Sequence, residues 1–350
     1  MDSIAGDHAA FRLFAELLNI PAPSGHEDRM AGFVIDRLQE FGFAPEMDAA
    51  GNVVVRLEGE FPERPICCIA AHIDEIGLIV TEIELDGALR VDRLGGTLPW
   101  KLGETIVEIL GDTRSVCGVS SMGSGHSRLQ ASECPDWEAV RVLTGLSARQ
   151  LADVGIRVGT PMVPAQQARG PIRFGDPEDP WVAAWTFDNR LSVACVMESL
   201  RALKARRQSP RSPTIIAFTV EEEVGCLGAK VLAQREQPDV FVAIDGSPLV
   251  PECPVALDGR PAIRSRDGVA TYDQDLLREI RQIGSEAGVD LQPVVYAGAS
   301  SDASLVYSIG ASPRVACLGY VRASSHGFEA APLSTFGQLQ TVIEELLLHL

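Results

Sequence analysis

Short apolar runs alternate with helical patterns along much of this chain, and that alternation restricts the fold more than any other feature. The run "PICCIAA" is apolar on both faces, as a strand buried in the middle of a sheet should be. "TIIAFTV", "VFVAID" and "PRVACLGYV" follow it, with helical segments between them, and "GVATYD" and "PVVYAG" suggest two further strands. This pattern predicts an α/β protein with a mixed, mainly parallel sheet sandwiched by helices.

Residues 81–171 have a different texture. Short β-like runs with frequent glycine replace the alternation there, as in "GALRVDRLGG", "ETIVEILGD" and "GIRVGTPMV". A chain of 350 residues is also long for a single small core. We therefore expect a separate β-rich domain at 81–171, inserted into a main domain made of residues 1–80 and 172–350.

The charge of the chain excludes several classes of partner. Its formal net charge is -18, so nucleic acid and anionic membrane surfaces would repel it. We see no apolar run of membrane length and no signal-peptide pattern at the N-terminus, so we expect a cytoplasmic protein that binds no membrane. Its eight cysteines lie mostly in apolar stretches and form no C-x-x-C pair, which argues against a thiolate zinc site.

Side chains typical of metal sites stand at the predicted strand ends, where open α/β sheets bind their ligands. They are His72 and Asp74, the three glutamates Glu221 to Glu223, Asp245 and His326, with Asp188 just before a helix. Each has an ordinary alternative: a polar turn for His72 and Asp74, a helix N-cap for Asp188, a turn for Asp245, a loop for His326, or an acidic first helical turn for the glutamates. Their common position at one edge of the sheet favours a cation among them, because carboxylates gathered in a cleft need one.

The types and spacing of these residues indicate the chemistry. His72 and Asp74 are two apart, so on an extended backbone Asp74 can accept the proton of one imidazole nitrogen while the other nitrogen faces a metal. Two imidazoles, several carboxylates and no thiolate suit two divalent ions, either zinc or a similar ion such as cobalt or manganese. Two ions that share a carboxylate and a water can activate that water and polarise a carbonyl. We therefore expect hydrolysis, with one glutamate left free to take a proton.

Five short motifs resemble, in order and spacing, the dinuclear metallo-aminopeptidases of the tetrahedral type, the family of glutamyl and deblocking aminopeptidases. The motifs are "AHIDEIG", "FDNR", "FTVEEEVGCLGA", "AIDG" and "SSHGFE". The resemblance spans nearly the whole chain. It implies a zinc-peptidase-type α/β domain interrupted by a small β-barrel used in assembly, and a homo-oligomer between a dimer and a dodecamer in size.

The resemblance also implies which matched residues hold the metals. His72 and Asp245 would be ligands of one ion, and Glu223 and His326 would be ligands of the other. Asp188 would bridge the two ions.

Two further roles follow from the same resemblance. Glu222 would be the general base, and Asp74 would be the hydrogen-bond partner of His72, while Glu221 would point elsewhere. The implied activity is that of an aminopeptidase, which hydrolyses N-terminal residues from peptides through a metal-bridging hydroxide.

Departures from the family's motifs fall around the substrate pocket. "DNR" stands where the family commonly has two aspartates, "YVRASSH" replaces a proline-threonine-arginine-tyrosine lead, and the glycine-rich stretch that ends in an aspartate is "GASSDAS". These changes leave open a related amidohydrolase, either a carboxypeptidase or an N-acyl deacylase, and a non-catalytic peptide- or metal-binding assembly protein. His126 could contact substrate or be an ordinary loop histidine, and Arg322 could bind a substrate carboxylate or pair with an acid.

Overall fold

The computed structural model describes residues 8–124, 126 and 134–350. The helices are α1 (Ala9–Leu17), α2 (Asp28–Glu40), α3 (Pro99–Leu102), α4 (Ala148–Asp153), α5 (Phe187–Arg206), α6 (Leu227–Glu236), α7 (Gln274–Glu286), α8 (Asp302–Ser308) and α9 (Ser334–His349). The strands are β1 (Glu46–Met47), β2 (Val53–Leu57), β3 (Cys67–His72), β4 (Gly77–Ile83), β5 (Leu89–Leu94), β6 (Ile106–Leu110), β7 (Ser115–Ser121), β8 (Arg141–Leu143), β9 (Pro161–Pro164), β10 (Ile172–Asp176), β11 (Asp179–Trp185), β12 (Thr214–Thr219), β13 (Val240–Ile244), β14 (Ser247–Pro248), β15 (Pro261–Arg266), β16 (Gln292–Val295), β17 (Arg314–Arg322) and β18 (Phe328–Pro332). Within these ranges, no helix combines the length and apolar character needed to cross a bilayer.

The largest sheet is built from the buried apolar runs. Its strand order is β1-β2-β12-β3-β13-β17-β15-β16, with β14 attached to β17. Strands β12, β3, β13 and β17 run parallel to one another, and β2 and β15 join them antiparallel. Every residue of β3, β12 and β13 is buried, which requires helices on both faces of the sheet. The predicted mixed, mainly parallel sheet is confirmed.

One strand lies earlier in the chain than the sequence pattern indicates. "GVATYD" is a turn, because the Oδ1 of Asp267 accepts hydrogen bonds from the backbone N–H groups of Val269 (2.8 Å) and Ala270 (2.9 Å). The strand of this region is β15, which precedes the turn and pairs with β17 and β16. Arg264 is therefore a residue of β15, which lies between β17 and the edge strand β16.

A closed barrel forms within the glycine-rich part of the chain. Its strand order is β4-β5-β8-β7-β6-β9, and a separate apolar core fills it, including Leu78, Leu89, Val107, Val142 and Met162. The expected small β-barrel is thereby confirmed. The domain limits at 1–80 with 172–350, and at 81–171, stay a prediction.

The chain enters and leaves the barrel beside the buried carboxylate of Glu75, which lies between β3 and β4. This carboxylate accepts hydrogen bonds from Nη2 of Arg169 (2.8 Å), Nε1 of Trp185 (3.0 Å) and the backbone N–H of Ala22 (2.9 Å). Nη2 of Arg190 lies 3.3 Å from it. Burial would raise the pKa of Glu75, but Arg169 and Arg190 outweigh burial and lower it. The ionised carboxylate therefore joins the segment after β9 to the start of α5.

Replacing Glu75 with glutamine should destabilise the protein strongly. The variant would leave two buried guanidinium groups without their counter-charge, and breaking a buried ion pair in this way costs about 3–5 kcal/mol. Asp275→Asn serves as the control, because it removes only the exposed partner of Arg278, and exposed pairs contribute little. Thermal unfolding of both variants and the wild type tests this expectation. Equal unfolding midpoints for Glu75→Gln and Asp275→Asn would contradict it.

Candidate metal centre

The ends of two neighbouring strands meet at the buried carboxylate of Asp74, which follows β3. It accepts hydrogen bonds from the backbone N–H groups of Glu222 (3.0 Å) and Glu223 (3.1 Å), and from the hydroxyl of Ser24 (2.7 Å). Nδ1 of His72 lies 3.3 Å from the same carboxylate. Burial would raise the pKa of Asp74, but His72 and the other donors lower it. The ionised Asp74 therefore fixes the turn after β12 beside the imidazole at the end of β3.

Asp188 lies between two imidazole rings. Its Oδ1 is 3.3 Å from Nε2 of His72, and its Oδ2 is 3.5 Å from Nε2 of His326. Thr186 holds the N-cap position of α5, and Asp188 itself has non-helical backbone angles within the first turn. Asp188 is therefore not the N-cap residue of α5.

Two groups of potential ligand atoms share Asp188. The first group adds His72 and Asp245, and the second adds Glu223 and His326; in each group the ligand atoms lie within 4.8 Å of one another. A carboxylate common to two groups is what two ions with a shared ligand require. The donors are nitrogen and oxygen, and these groups could hold divalent cations.

The charges of the site also favour cations. Burial raises the pKa of Glu223 to about 7 and raises the pKa of Glu222 well above its ordinary value, and nearby carboxylates add to both shifts. The pKa of Asp245 is raised as well, chiefly by burial. Glu223 is the main cause that raises the pKa of His326 to about 10. At neutral pH, His326 is therefore protonated and Glu223 partly so, and divalent ions would displace these protons on binding.

Two buried arginines lie among these acids. Arg322 donates hydrogen bonds to Asp188 and to Oε1 of Glu329 (2.7 Å). These contacts agree with the interpretation that Arg322 pairs with acidic side chains of the protein. Nη2 of Arg264 lies 3.1 Å from Oδ2 of Asp245. Sequence reasoning missed Arg264 because it missed β15. Glu329 stood in the quoted motif "SSHGFE" but received no role.

The segment between β5 and α3 contributes directly to the site. Nδ1–H of His326 donates to the carbonyl oxygen of Gly96 (3.0 Å), which leaves Nε2 to face Asp188 and Glu223. The hydroxyl of Thr97 donates to the carbonyl oxygen of His326 (3.3 Å). A Cβ atom on Gly96 would lie only 2.8 Å from the His326 ring, so this approach requires glycine. The segment between β5 and α3 thus orients the imidazole of His326.

The candidate centre opens into a cleft of about 760 Å³. The site residues that line it are Asp188, Glu222, Glu223, Asp245 and His326. Apolar side chains that line it are Leu98, Trp100, Pro248, Val250, Val295 and Tyr296. The structure thus brings together all seven residues expected as ligands, base or imidazole partner. His126 is exposed and hydrogen-bonds with Ser124. It is not among the described residues that line the cleft, and this position is that of an ordinary loop histidine.

Comparison with known proteins gives a consistent result. The sequence profile of the M42 glutamyl aminopeptidase family matches residues 51–341. The chain is 29% identical over 242 residues to the lysyl aminopeptidase of Pyrococcus furiosus, and 30% identical over 237 residues to the glutamyl aminopeptidase of Lactococcus lactis subsp. cremoris. These alignments cover 67% and 66% of this chain, and 66% and 65% of the two enzymes, which is just under two thirds of their length.

A solved structure matches over a longer range. The TET1 peptidase of Pyrococcus horikoshii, described as assembling into a tetrahedron or a large octahedral shell, is similar with a TM-score of 0.84 at 27% identity. The match covers 97% of this chain and 100% of that one. At this coverage, the match includes most of both the sheet and the barrel.

Proposed function

The chain belongs to the M42 glutamyl aminopeptidase family, and on that premise we propose that it removes residues from the N-termini of peptides with two divalent metal ions. The observation that carries this proposal is the position of Asp188, whose carboxylate faces two imidazoles and belongs to two groups of ligand atoms. The similarity to a lysyl and a glutamyl aminopeptidase supports the same activity. A cytoplasmic location stays a prediction.

The proposed ligands divide between the ions through Asp188. His72 and Asp245 would hold one ion, Glu223 and His326 would hold the other, and Asp188 would contact both. This donor set suits zinc, with cobalt and manganese as alternatives. When bound, such a pair supplies an activated water and polarises the scissile carbonyl.

We assign proton transfer to Glu222. Its carboxylate lines the cleft and stands outside the two ligand groups that share Asp188, and it forms a further group of possible ligand atoms with His72 and Glu223. Burial raises its pKa well above the ordinary value, as suits a group that accepts a proton and returns it. Glu222 would take a proton from the attacking water and deliver it to the amine that leaves. The backbone N–H of Glu222 donates a hydrogen bond to Asp74, and this bond holds in place the backbone that carries the Glu222 side chain.

Substrates with and without a free amino terminus test the function. We expect hydrolysis of aminoacyl p-nitroanilides and not of the matched N-acetyl compounds, because the acidic site favours a cationic amine. Chelation should abolish the activity, and added zinc, cobalt or manganese should restore it. A preference for the N-acetyl compounds would instead indicate an N-acyl deacylase. Full activity in a preparation shown to be free of metal would rule the proposal out.

Substitution of the three consecutive glutamates separates base from ligand. Glu222→Gln keeps the side-chain size but cannot accept a proton, so turnover should fall by roughly two to four orders of magnitude while metal content hardly changes. Glu223→Gln should lower metal occupancy and activity together. Glu221→Gln is the matched control, because Glu221 belongs to none of the ligand groups in the described residues.

Metal stoichiometry and turnover should be measured on all three variants side by side. The assignment is wrong if Glu221→Gln proves the most damaging change. It is also wrong if Glu222→Gln loses metal and Glu223→Gln retains it.

We further propose that the chain forms a homo-oligomer, between a dimer and a dodecamer in size, through the barrel. Ile106, Val119 and Leu143 are 42%, 47% and 52% exposed. Ile106 pairs with Val119 across β6 and β7, and Val119 pairs with Leu143 across β7 and β8. These residues form a continuous exposed apolar patch, which is typical of an interface. The assemblies described for the similar TET1 peptidase support the same conclusion.

Light scattering at micromolar concentration should give a molar mass several times that of one chain. Val119→Lys places a charge at the centre of the patch and should lower that mass, whereas Leu85→Lys, at a fully exposed turn, should not. A monomeric wild-type protein would refute the proposed assembly and leave the catalytic proposal intact.

A further inference from the structure

A further group of potential ligands shares Glu222 with the candidate centre but otherwise consists of different residues. Glu222, Cys226 and Asp302 each offer one atom, and these atoms lie within 4.8 Å of one another. Sγ of Cys226 is 3.4 Å from Oε1 of Glu222. Neither Cys226 nor Asp302 has a role in the proposed hydrolysis.

The turn after β12 brings Cys226 back to Glu222. The backbone N–H groups of Gly225 (3.0 Å) and Cys226 (2.9 Å) both donate to the carbonyl oxygen of Glu222. Gly225 and Cys226 have φ angles of 126° and 55°, which reverse the chain before α6 begins. The thiol is therefore held beside the carboxylate by the backbone as well as by its own hydrogen bond.

Asp302 supplies an observation that points to a missing partner. Its side chain is nearly inaccessible, since the residue is only 3% exposed. One carboxylate oxygen, Oδ2, accepts a hydrogen bond from the hydroxyl of Thr219 (2.6 Å). The other, Oδ1, is buried and accepts no hydrogen bond from the described residues. A buried acceptor without a partner is unfavourable, and such groups in native proteins often mark a bound ion or water. Ser301 holds the N-cap of α8, so helix capping does not account for Asp302.

We propose that Glu222, Cys226 and Asp302 form a separate, inhibitory site for a thiophilic divalent cation, with zinc and cadmium as the ions to test. One thiolate and two carboxylates suit such ions better than they suit magnesium or calcium. Binding forms a metal–sulfur bond, the thiol proton passes to solvent, and no group is oxidised or reduced. The inhibition rests on the proposed function, because the ion would occupy the carboxylate assigned as base. Binding itself does not depend on that assignment.

Cadmium binding to the metal-loaded protein tests the site without any measurement of activity. Cys117 and Cys134 are exposed and would bind cadmium themselves, so the Cys117→Ala/Cys134→Ala protein is the reference. We expect the reference to develop an ultraviolet thiolate-to-cadmium absorption band and to bind one cadmium ion per chain more than the triple variant that adds Cys226→Ala. The triple variant should lack the band. Circular dichroism and zinc analysis establish that it is folded and keeps its other metal ions.

Inhibition by excess zinc provides the second measurement. Zinc added beyond saturation of the candidate centre should inhibit the reference, and Cys226→Ala or Asp302→Asn should raise the half-inhibitory zinc concentration by about tenfold or more. Each variant is normalised to its own activity without added zinc. Magnesium at the same concentrations should not inhibit.

The outcomes separate the site from the function. A cadmium band that survives in the triple variant would overturn the proposed site, and so would the same half-inhibitory zinc concentration in the reference and in Cys226→Ala. A band that depends on Cys226 in a protein without peptidase activity would support the site and contradict the proposed function instead.

Discussion

The carboxylate of Asp74 is the interaction on which the candidate centre depends. It joins the imidazole at the end of β3 to the backbone of Glu222 and Glu223 after β12, and Ser24 completes its set of donors. Parallel pairing places the two strand ends side by side, but it does not determine where the turn beyond β12 goes. The buried carboxylate of Asp74 determines the path of this turn, because its two oxygens accept hydrogen bonds from two successive backbone N–H groups. The proposed base and ligand therefore reach the cleft from a backbone that cannot move independently of His72.

The next residue in the chain links this centre to the barrel. Asp74 binds the strand ends, while Glu75 binds the arginine that follows the last barrel strand. A second link joins Gly96, which follows β5, to the ring of His326. The barrel is thus attached to the sheet at both ends of the insert and also contacts an imidazole of the candidate centre.

The sequence predicts the site residues that lie at the carboxyl ends of buried strands, where open α/β sheets bind their ligands. His72 and Asp245 stand at such ends, so the buried apolar runs were sufficient to locate them, whereas Asp188 was placed only as a residue just before a helix. Arg264 could not be found in this way, because "PAIRSR" carries two arginines and a proline and does not have the pattern of a buried strand. The contact with Gly96 is tertiary, joining residues 230 positions apart, and no local pattern encodes it.

The balance of formal charge connects the fold to the proposed chemistry. Eight buried or cleft-lining carboxylates surround the centre: Asp74, Asp188, Glu222, Glu223, Asp245, Glu252, Asp302 and Glu329. Lys101, Arg264 and Arg322 offset three of them, so with neutral imidazoles a formal excess of five negative charges is left. Two divalent ions would reduce that excess to a single negative charge. A peptide with a free, protonated amino terminus supplies the complementary positive charge, whereas an N-acylated peptide does not.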